Sequence, residues 1–191
     1  MKKQTQRRIL GIAVLGLWAL AAITVPILRG MAEEPNYIIV LDPGHGGGDG
    51  GAVGDDGTVE KDLNLTISLL LKEKLEQQGV TVILTRETDD DTDGLTGFHK
   101  RQDLEERARV GNESGADAYV SIHINASTAR KDQGFQVWYG CGNPDGERLA
   151  TNLTESVSGK DICTRIRVVK QVPDTLYIFR TVKIPSVLVE C

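Results

Sequence analysis
Two histidines and two glutamates carry most of the chemistry open to this chain: His45, His123, Glu60 and Glu190. His45 lies in "YIIVLDPGHGGGDGGAVG" (37–54), where an apolar run meets a dense glycine cluster. Glu60 lies in "VEKDLN" (59–64), His123 in "SIHINA" (121–126) and Glu190 in the closing "SVLVEC" (186–191). Two imidazoles and one carboxylate are a common catalytic zinc set, with a fourth position left for water. A second glutamate that is not a ligand would supply a general base. Each residue also has a plainer reading. His45 could satisfy local backbone groups, Glu60 could stabilise a helix start through the dipole, His123 could be a hydrogen-bonded histidine, and Glu190 a solvated strand end. Those readings do not explain why all four point to one place.

Other chemistries fit less well. Gly46, Gly48 and Gly51 satisfy G-x-G-x-x-G, but no helix opens directly at that loop, as a dinucleotide site requires. Asp49, Asp55 and Asp56 would repel phosphate, and no G-K-[ST] follows. "DDDTDG" (89–94) begins like a calcium loop, yet Lys100 occupies the position where a bidentate glutamate is needed. It reads as a solvated loop, with His99 exposed in the same polar segment. No HExxH occurs, so the helical metalloprotease arrangement is absent.

The elements that must place these residues follow from periodicity. "YIIVL" (37–41) reads as a buried strand. "TVEKDLNLTISLLLKEKLEQQG" (58–79) reads as a helix with Leu63, Ile67, Leu70, Leu71 and Leu75 on its apolar face, Thr58 capping its start and Gly79 its end. "VTVILTR" (80–86) is the next strand, which completes a βαβ unit with parallel strands. A helix is expected around "DLEERARVGNES", strands at 118–125 and 135–139, and a helix near "DGERLATNLTES". "LYIFR" (176–180) and "SVLVE" (186–190) have β character. The sum is one α/β domain, a mostly parallel twisted sheet flanked by helices. In such sheets ligands bind beyond the carboxyl ends of the strands. His45, His123 and Glu190 follow or end strands there, and Glu60 begins the helix after the first.

The 191 residues suffice for one domain, and 40% of them are hydrophobic. Residues 1–31 stand apart. "MKKQTQRR" is basic, and residues 9–28 carry no charge over a length that spans a bilayer as a helix. Residues 1–31 are expected to be a membrane anchor or a signal peptide, with Arg29 and the length favouring the anchor and "GMA" (30–32) offering a cleavage site. Either way the rest lies outside the cytoplasmic membrane, after a short linker (32–36). Five of the 22 Lys/Arg and none of the 27 Asp/Glu fall in residues 1–31, which leaves a net charge of −10 on the remainder. That domain has no electrostatic footprint for nucleic acid. Of three cysteines, Cys141 and Cys163 could pair in an oxidising compartment, though spacing alone argues weakly for it.

"IVLDPGHGG", "EKDLNL", "VILTR", "LEERARVGN", "SIHINA" and "PSVLVE" occur in this order. Together they resemble the zinc-dependent N-acetylmuramoyl-L-alanine amidases of the amidase-3 family, over residues 37–191. The resemblance implies Zn²⁺ held by His45, Glu60 and His123, with Glu190 as catalytic glutamate. It gives Arg107 and Asn125 supporting roles in loop geometry and packing. It implies hydrolysis of the amide between N-acetylmuramic acid and L-alanine in peptidoglycan. The single catalytic domain behind an N-terminal membrane segment, and the "VEC" ending, are most similar to spore-cortex, germination-type members. Whether an activating protein partner is needed does not follow from the sequence. The rival readings are another extracytoplasmic cell-wall zinc hydrolase, or a module that binds peptidoglycan without cutting it. Family members normally continue past the glutamate with a Gly-Phe-x-Ser-Asn-like stretch and a final helix, so the chain is expected to be C-terminally truncated at Cys191, which bears on Glu190 above all.

Overall fold
The computed structural model describes residues 36–90, 92, 99–125, 134–160 and 165–191. Tyr37–Cys191 forms one compact unit. The uncharged run 9–28, Cys163, and Asp91, Asp93 and Gly94 of the acidic loop lie outside the described residues. Among the described residues no helix is long and apolar enough to cross a membrane. Cys141 and Cys191 carry free thiols.

Six strands form one sheet: β1 (Ile38–Pro43), β2 (Thr81–Leu84), β3 (Ala118–His123), β4 (Gln136–Tyr139), β5 (Lys170–Gln171) and β6 (Ser186–Glu190), in the order β2-β1-β3-β6-β4-β5. The pairs β1–β2, β1–β3, β3–β6 and β4–β5 are parallel, and β4–β6 is antiparallel. The expectation of a mostly parallel sheet therefore holds. The last strand of the chain inserts between β3 and β4, which makes β1, β3 and β6 neighbours with their carboxyl ends at one edge.

Among the described residues four helices cover the sheet: α1 (Glu60–Glu76), α2 (Lys100–Glu113), α3 (Pro144–Val157) and α4 (Tyr177–Thr181). Side chains alternate between the two faces, as a pleated strand requires. Val40, Tyr119 and Leu188 pack with Ala108 of α2 and with Ile178 and Phe179 of α4. Ile122, Val137, Val187 and Val189 pack with Ala150 of α3, and with Ile67 and Leu71 of α1. Residues 177–181 are thus helical and not a strand. Ile178 and Phe179 of that stretch and Val182 just after it are buried, and their i, i+1, i+4 spacing is one helical face.

Helix α1 corrects the sequence reading in two ways. Of its expected apolar face only Ile67 and Leu71 reach the core, whereas Leu63 and Leu70 are 38% and 57% exposed. The buried stripe is Glu60, Asn64 and Ser68, a polar i, i+4, i+8 row. Thr58 is not the cap either. Val59 occupies that position without a side-chain bond, and the first helical N–H groups, of Glu60 and Lys61, donate to the carbonyls of Ala52 and Gly50. The glycine loop itself caps the helix, which binds the two site-bearing segments together.

On the opposite face a buried polar knot replaces apolar packing at the strand ends. Asp42 and Ser121 are paired residues of β1 and β3. The Ser121 hydroxyl donates to Asp42 at 2.7 Å, Thr85 does so at 2.7 Å, and Arg107 of α2 pairs with it at 2.7 Å. Burial raises the Asp42 carboxyl, but Arg107 and the two hydroxyls outweigh it and hold the group below its ordinary value. Arg107 also bonds Asp103 at 2.8 Å and is only 2% exposed. Breaking such a pair strands a buried charge and typically costs about 3–5 kcal/mol. Arg107→Met should therefore shift the urea unfolding midpoint strongly downward. Arg109→Ala, on the solvent side of the same helix, should leave it nearly unchanged, and equal shifts in the two variants would contradict this reading.

Candidate metal centre
Chain geometry brings His45, Glu60 and His123 together. β1 ends at Pro43, and Gly44 continues the ladder by donating its N–H to Ile122 of β3 at 2.9 Å. The backbone then turns. His45 has φ of 62°, a left-handed conformation unusual for a residue with a side chain. That turn is held by side chains from elsewhere. Arg107 donates to the carbonyls of Pro43 (2.9 Å) and His45 (2.7 Å). Arg86, 6% exposed, donates to Pro43 (3.0 Å), Gly44 (3.1 Å), Lys61 (2.8 Å) and Thr88 (3.0 Å). Asn64 adds a bond to Gly44 at 3.1 Å.

Glu60 is the first residue of α1 and is buried at 7% exposure. Its Oε1 lies 3.2 Å from Nε2 of His45 and 3.0 Å from Nδ1 of His123. The two rings meet edge to face with centroids 4.8 Å apart. One ligand atom from each of the three residues lies within 4.8 Å of the others, a group that could hold a metal ion. Glu60 also accepts the N–H of Ala52 at 2.9 Å and of Ile124 at 3.3 Å. Burial alone would raise its carboxyl, but the bonds from His123, His45 and Ala52 hold it far below the ordinary range, so it stays ionised. Two glycines leave room for this cluster. A Cβ on Gly44 would stand 2.2 Å from Nε2 of His123, and one on Gly51 would stand 2.6 Å from His45 and 2.7 Å from Glu60.

Glu190 ends β6 directly opposite His123 in the parallel register. It lies on the rim of the cavity that His45 and His123 also line. Burial raises its carboxyl, more than His123 lowers it. Its position is fixed by the strand ladder: Cys191 donates to the carbonyl of His123 at 3.0 Å, and Asn125 to that of Cys191 at 3.2 Å. The Asn125 side chain also donates to the carbonyl of Gly134 at 2.8 Å. His99 lies outside the cluster and is half-buried just before α2, not exposed. Asp89 of the acidic loop pairs with Lys61 at 2.7 Å.

Asp49 is the residue the sequence reading missed. Its Oδ2 lies 3.1 Å from Nδ1 of His45, the nitrogen turned away from Glu60. Burial raises the Asp49 carboxyl, but the contact with His45 outweighs it and lowers the group overall. Burial lowers the His45 imidazole, and its bonds to Glu60 and Asp49 more than reverse this. A carboxylate on the far nitrogen fixes tautomer and ring orientation in metal-binding histidines. The i+4 spacing from His45 was visible, but a glycine loop gives that spacing no fixed meaning.

A His/Glu/His cluster at the carboxyl edge of an open α/β sheet, with a further glutamate beside it, is the constellation of metal-assisted hydrolases. Within that class the chain belongs to the amidase-3 family: the N-acetylmuramoyl-L-alanine amidase family model matches residues 39–191. It is similar to the germination-specific N-acetylmuramoyl-L-alanine amidase of Bacillus subtilis, 36% identical over 157 residues, which cover 80% of this chain. The aligned stretch spans 65% of that relative's length. Among solved structures it is similar to the CwlD amidase of Clostridioides difficile, determined in complex with the GerS lipoprotein, at 38% identity and a TM-score of 0.70 over 82% of each chain. It is also similar to an N-acetylmuramoyl-L-alanine amidase of Clostridium difficile 630, at 30% identity and a TM-score of 0.71 over 83% of this chain and 80% of that one.

The role of Asp49 can be measured without any substrate. Asp49→Asn should weaken divalent-metal binding about 10–100-fold, the usual cost of losing an orienting carboxylate, as read by competition with a chromogenic chelator. Unchanged affinity would remove Asp49 from the centre.

Proposed function
We propose that this chain is a zinc-dependent N-acetylmuramoyl-L-alanine amidase, with His45, Glu60 and His123 as ligands and Glu190 as general base. The observation that carries the reading is the meeting of Nε2 of His45 and Nδ1 of His123 on one ionised oxygen of Glu60. Two nitrogens and one oxygen, converging beside a cavity, suit the three protein ligands of a catalytic zinc site. Bound there, zinc supplies Lewis acidity, which polarises an amide carbonyl and acidifies water.

The protein's own groups do the rest. Glu60 and the two imidazoles fix where the scissile carbonyl must lie. Asp49 keeps the Nε2 face of His45 toward that point. Glu190, one strand over from His123, takes a proton from the attacking water and passes one to the departing amine of L-alanine. The products are a free lactyl carboxylate on the sugar and a free N-terminal L-alanine on the stem peptide. The apolar run 9–28 supports action outside the cytoplasmic membrane, with the domain held there or released by cleavage. The germination-specific relative supports a place in spore-cortex remodelling, and the relative solved with a lipoprotein supports a protein partner here too.

Peptidoglycan incubated with the full chain should gain N-terminal L-alanine, and a chelator should abolish the gain. Glu190→Gln should keep its zinc but lose hydrolysis by about 10²–10⁴-fold, the usual contribution of a general base. Loss of zinc from that variant would make Glu190 a ligand. Activity within a few-fold of wild type would place the base elsewhere.

A further inference from the structure
The cavity that opens on Glu190 has a volume of about 420 Å³. Leu104, Leu176, Ile178 and Leu188 form an apolar part of its wall, and His45, His123 and Glu190 line the same cavity. Two cations line it, Arg107 and Lys100. Arg107 is 2% exposed, and its nitrogens are already bonded to Asp42, Asp103 and the carbonyls of Pro43 and His45. Lys100 is different: its side chain is 68% exposed, and its Nζ lies 3.9 Å from Oδ2 of Asp49. That same oxygen is 3.1 Å from the imidazole of His45. The ammonium group is thus one carboxylate removed from the reacting centre.

Helix physics gives no reason for a lysine at this position. Lys100 is the first residue of α2, where the helix dipole favours an acid and disfavours a cation. Its pairing with Asp49, at the long limit for an ion pair, does little to offset that. A residue that breaks a local rule beside a reacting centre calls for a functional reason.

We infer that Lys100 determines specificity by binding a free carboxylate on the residue that follows L-alanine in the stem peptide. This rests on the amidase reading above. The nitrogen released by hydrolysis belongs to L-alanine, and the next Cα lies about 3.8 Å beyond alanine's own. A carboxylate on that residue falls within the reach spanned by the His45–Asp49–Lys100 contacts of 3.1 and 3.9 Å. The apolar wall meanwhile accepts the alanine methyl.

The test uses two soluble muramyl peptides that differ at one group. In one, the residue after L-alanine is D-glutamate with a free α-carboxylate; in the other that carboxylate is a primary amide. kcat and KM are measured for the full chain and for Lys100→Gln and Lys100→Arg. Wild type should prefer the carboxylate form by about tenfold, a typical value for one hydrogen bond to a charged group, mostly through KM. Lys100→Gln should bring the ratio near one, and Lys100→Arg should restore most of it. Each ratio comes from a single preparation, so a folding defect divides out. A wild-type ratio near one, or a Lys100→Gln variant that keeps the wild-type ratio, overturns the inference while leaving the amidase reading intact. If wild type cuts neither peptide, both fall.

Discussion
Two buried guanidinium groups hold one short loop, and the proposed metal centre depends on that grip. Arg86 and Arg107 both donate to the carbonyl of Pro43, and between them they also hold Gly44 and His45. The carbonyls of Pro43, Gly44 and His45 at the end of β1 are satisfied by these side chains. Burying them unpaired would cost about 1–3 kcal/mol each, so their pairing decides where the chain can turn. It turns at His45 in a left-handed conformation, which points the imidazole back toward β3 and the start of α1. Arg107 is in turn held by Asp42 and Asp103, and Asp42 by a hydroxyl from each of two neighbouring segments. A planar fork with five donors in fixed directions grips several carbonyls at once with a preset geometry that a lysine lacks.

The polar stripe on α1 has the same origin. A helix that packed its leucines inward would turn Glu60 and Asn64 away from the sheet edge. Instead Asn64 bonds Gly44 and Glu60 reaches both histidines, and Leu63 and Leu70 face solvent. Local hydrophobic burial is given up for the position of one carboxylate. The price of that choice is offset by the loop carbonyls that cap the helix and by the core contacts of Ile67 and Leu71. Electrostatics favours the same arrangement, because the bonds from His123, His45 and Ala52 hold the Glu60 carboxyl well below its ordinary range.

Much of this was legible in the sequence, for physical reasons. The strands β1, β3 and β6 announce themselves as short apolar runs, and a βαβ order forces their carboxyl ends to one edge. That was enough to bring His45, Glu60, His123 and Glu190 together. What was not legible depends on long-range pairing. The antiparallel entry of β4 and the insertion of β6 between β3 and β4 are set by connections whose paths periodicity does not record. "LYIFR" (176–180) has β character by composition, yet most of it is helical, because five residues are too few to separate a helical period from a run. The role of Arg86 was invisible inside "VILTR", and that of Asp49 was hidden in the glycine loop, since neither spacing implies a partner without the fold.

On this reading Arg86 and Arg107 preorganise the proposed metal centre from outside it. Zinc affinity in Arg86→Lys tests this most directly, because Arg86 contacts none of the proposed ligand side chains. The variant keeps the charge but lacks the fork that grips Pro43, Gly44, Lys61 and Thr88. Measured by calorimetric competition at a temperature where circular dichroism shows both proteins folded, its zinc affinity should fall at least tenfold, in the range seen when outer partners of a metal centre are lost. Affinity equal to wild type would show that the centre forms without the clamp.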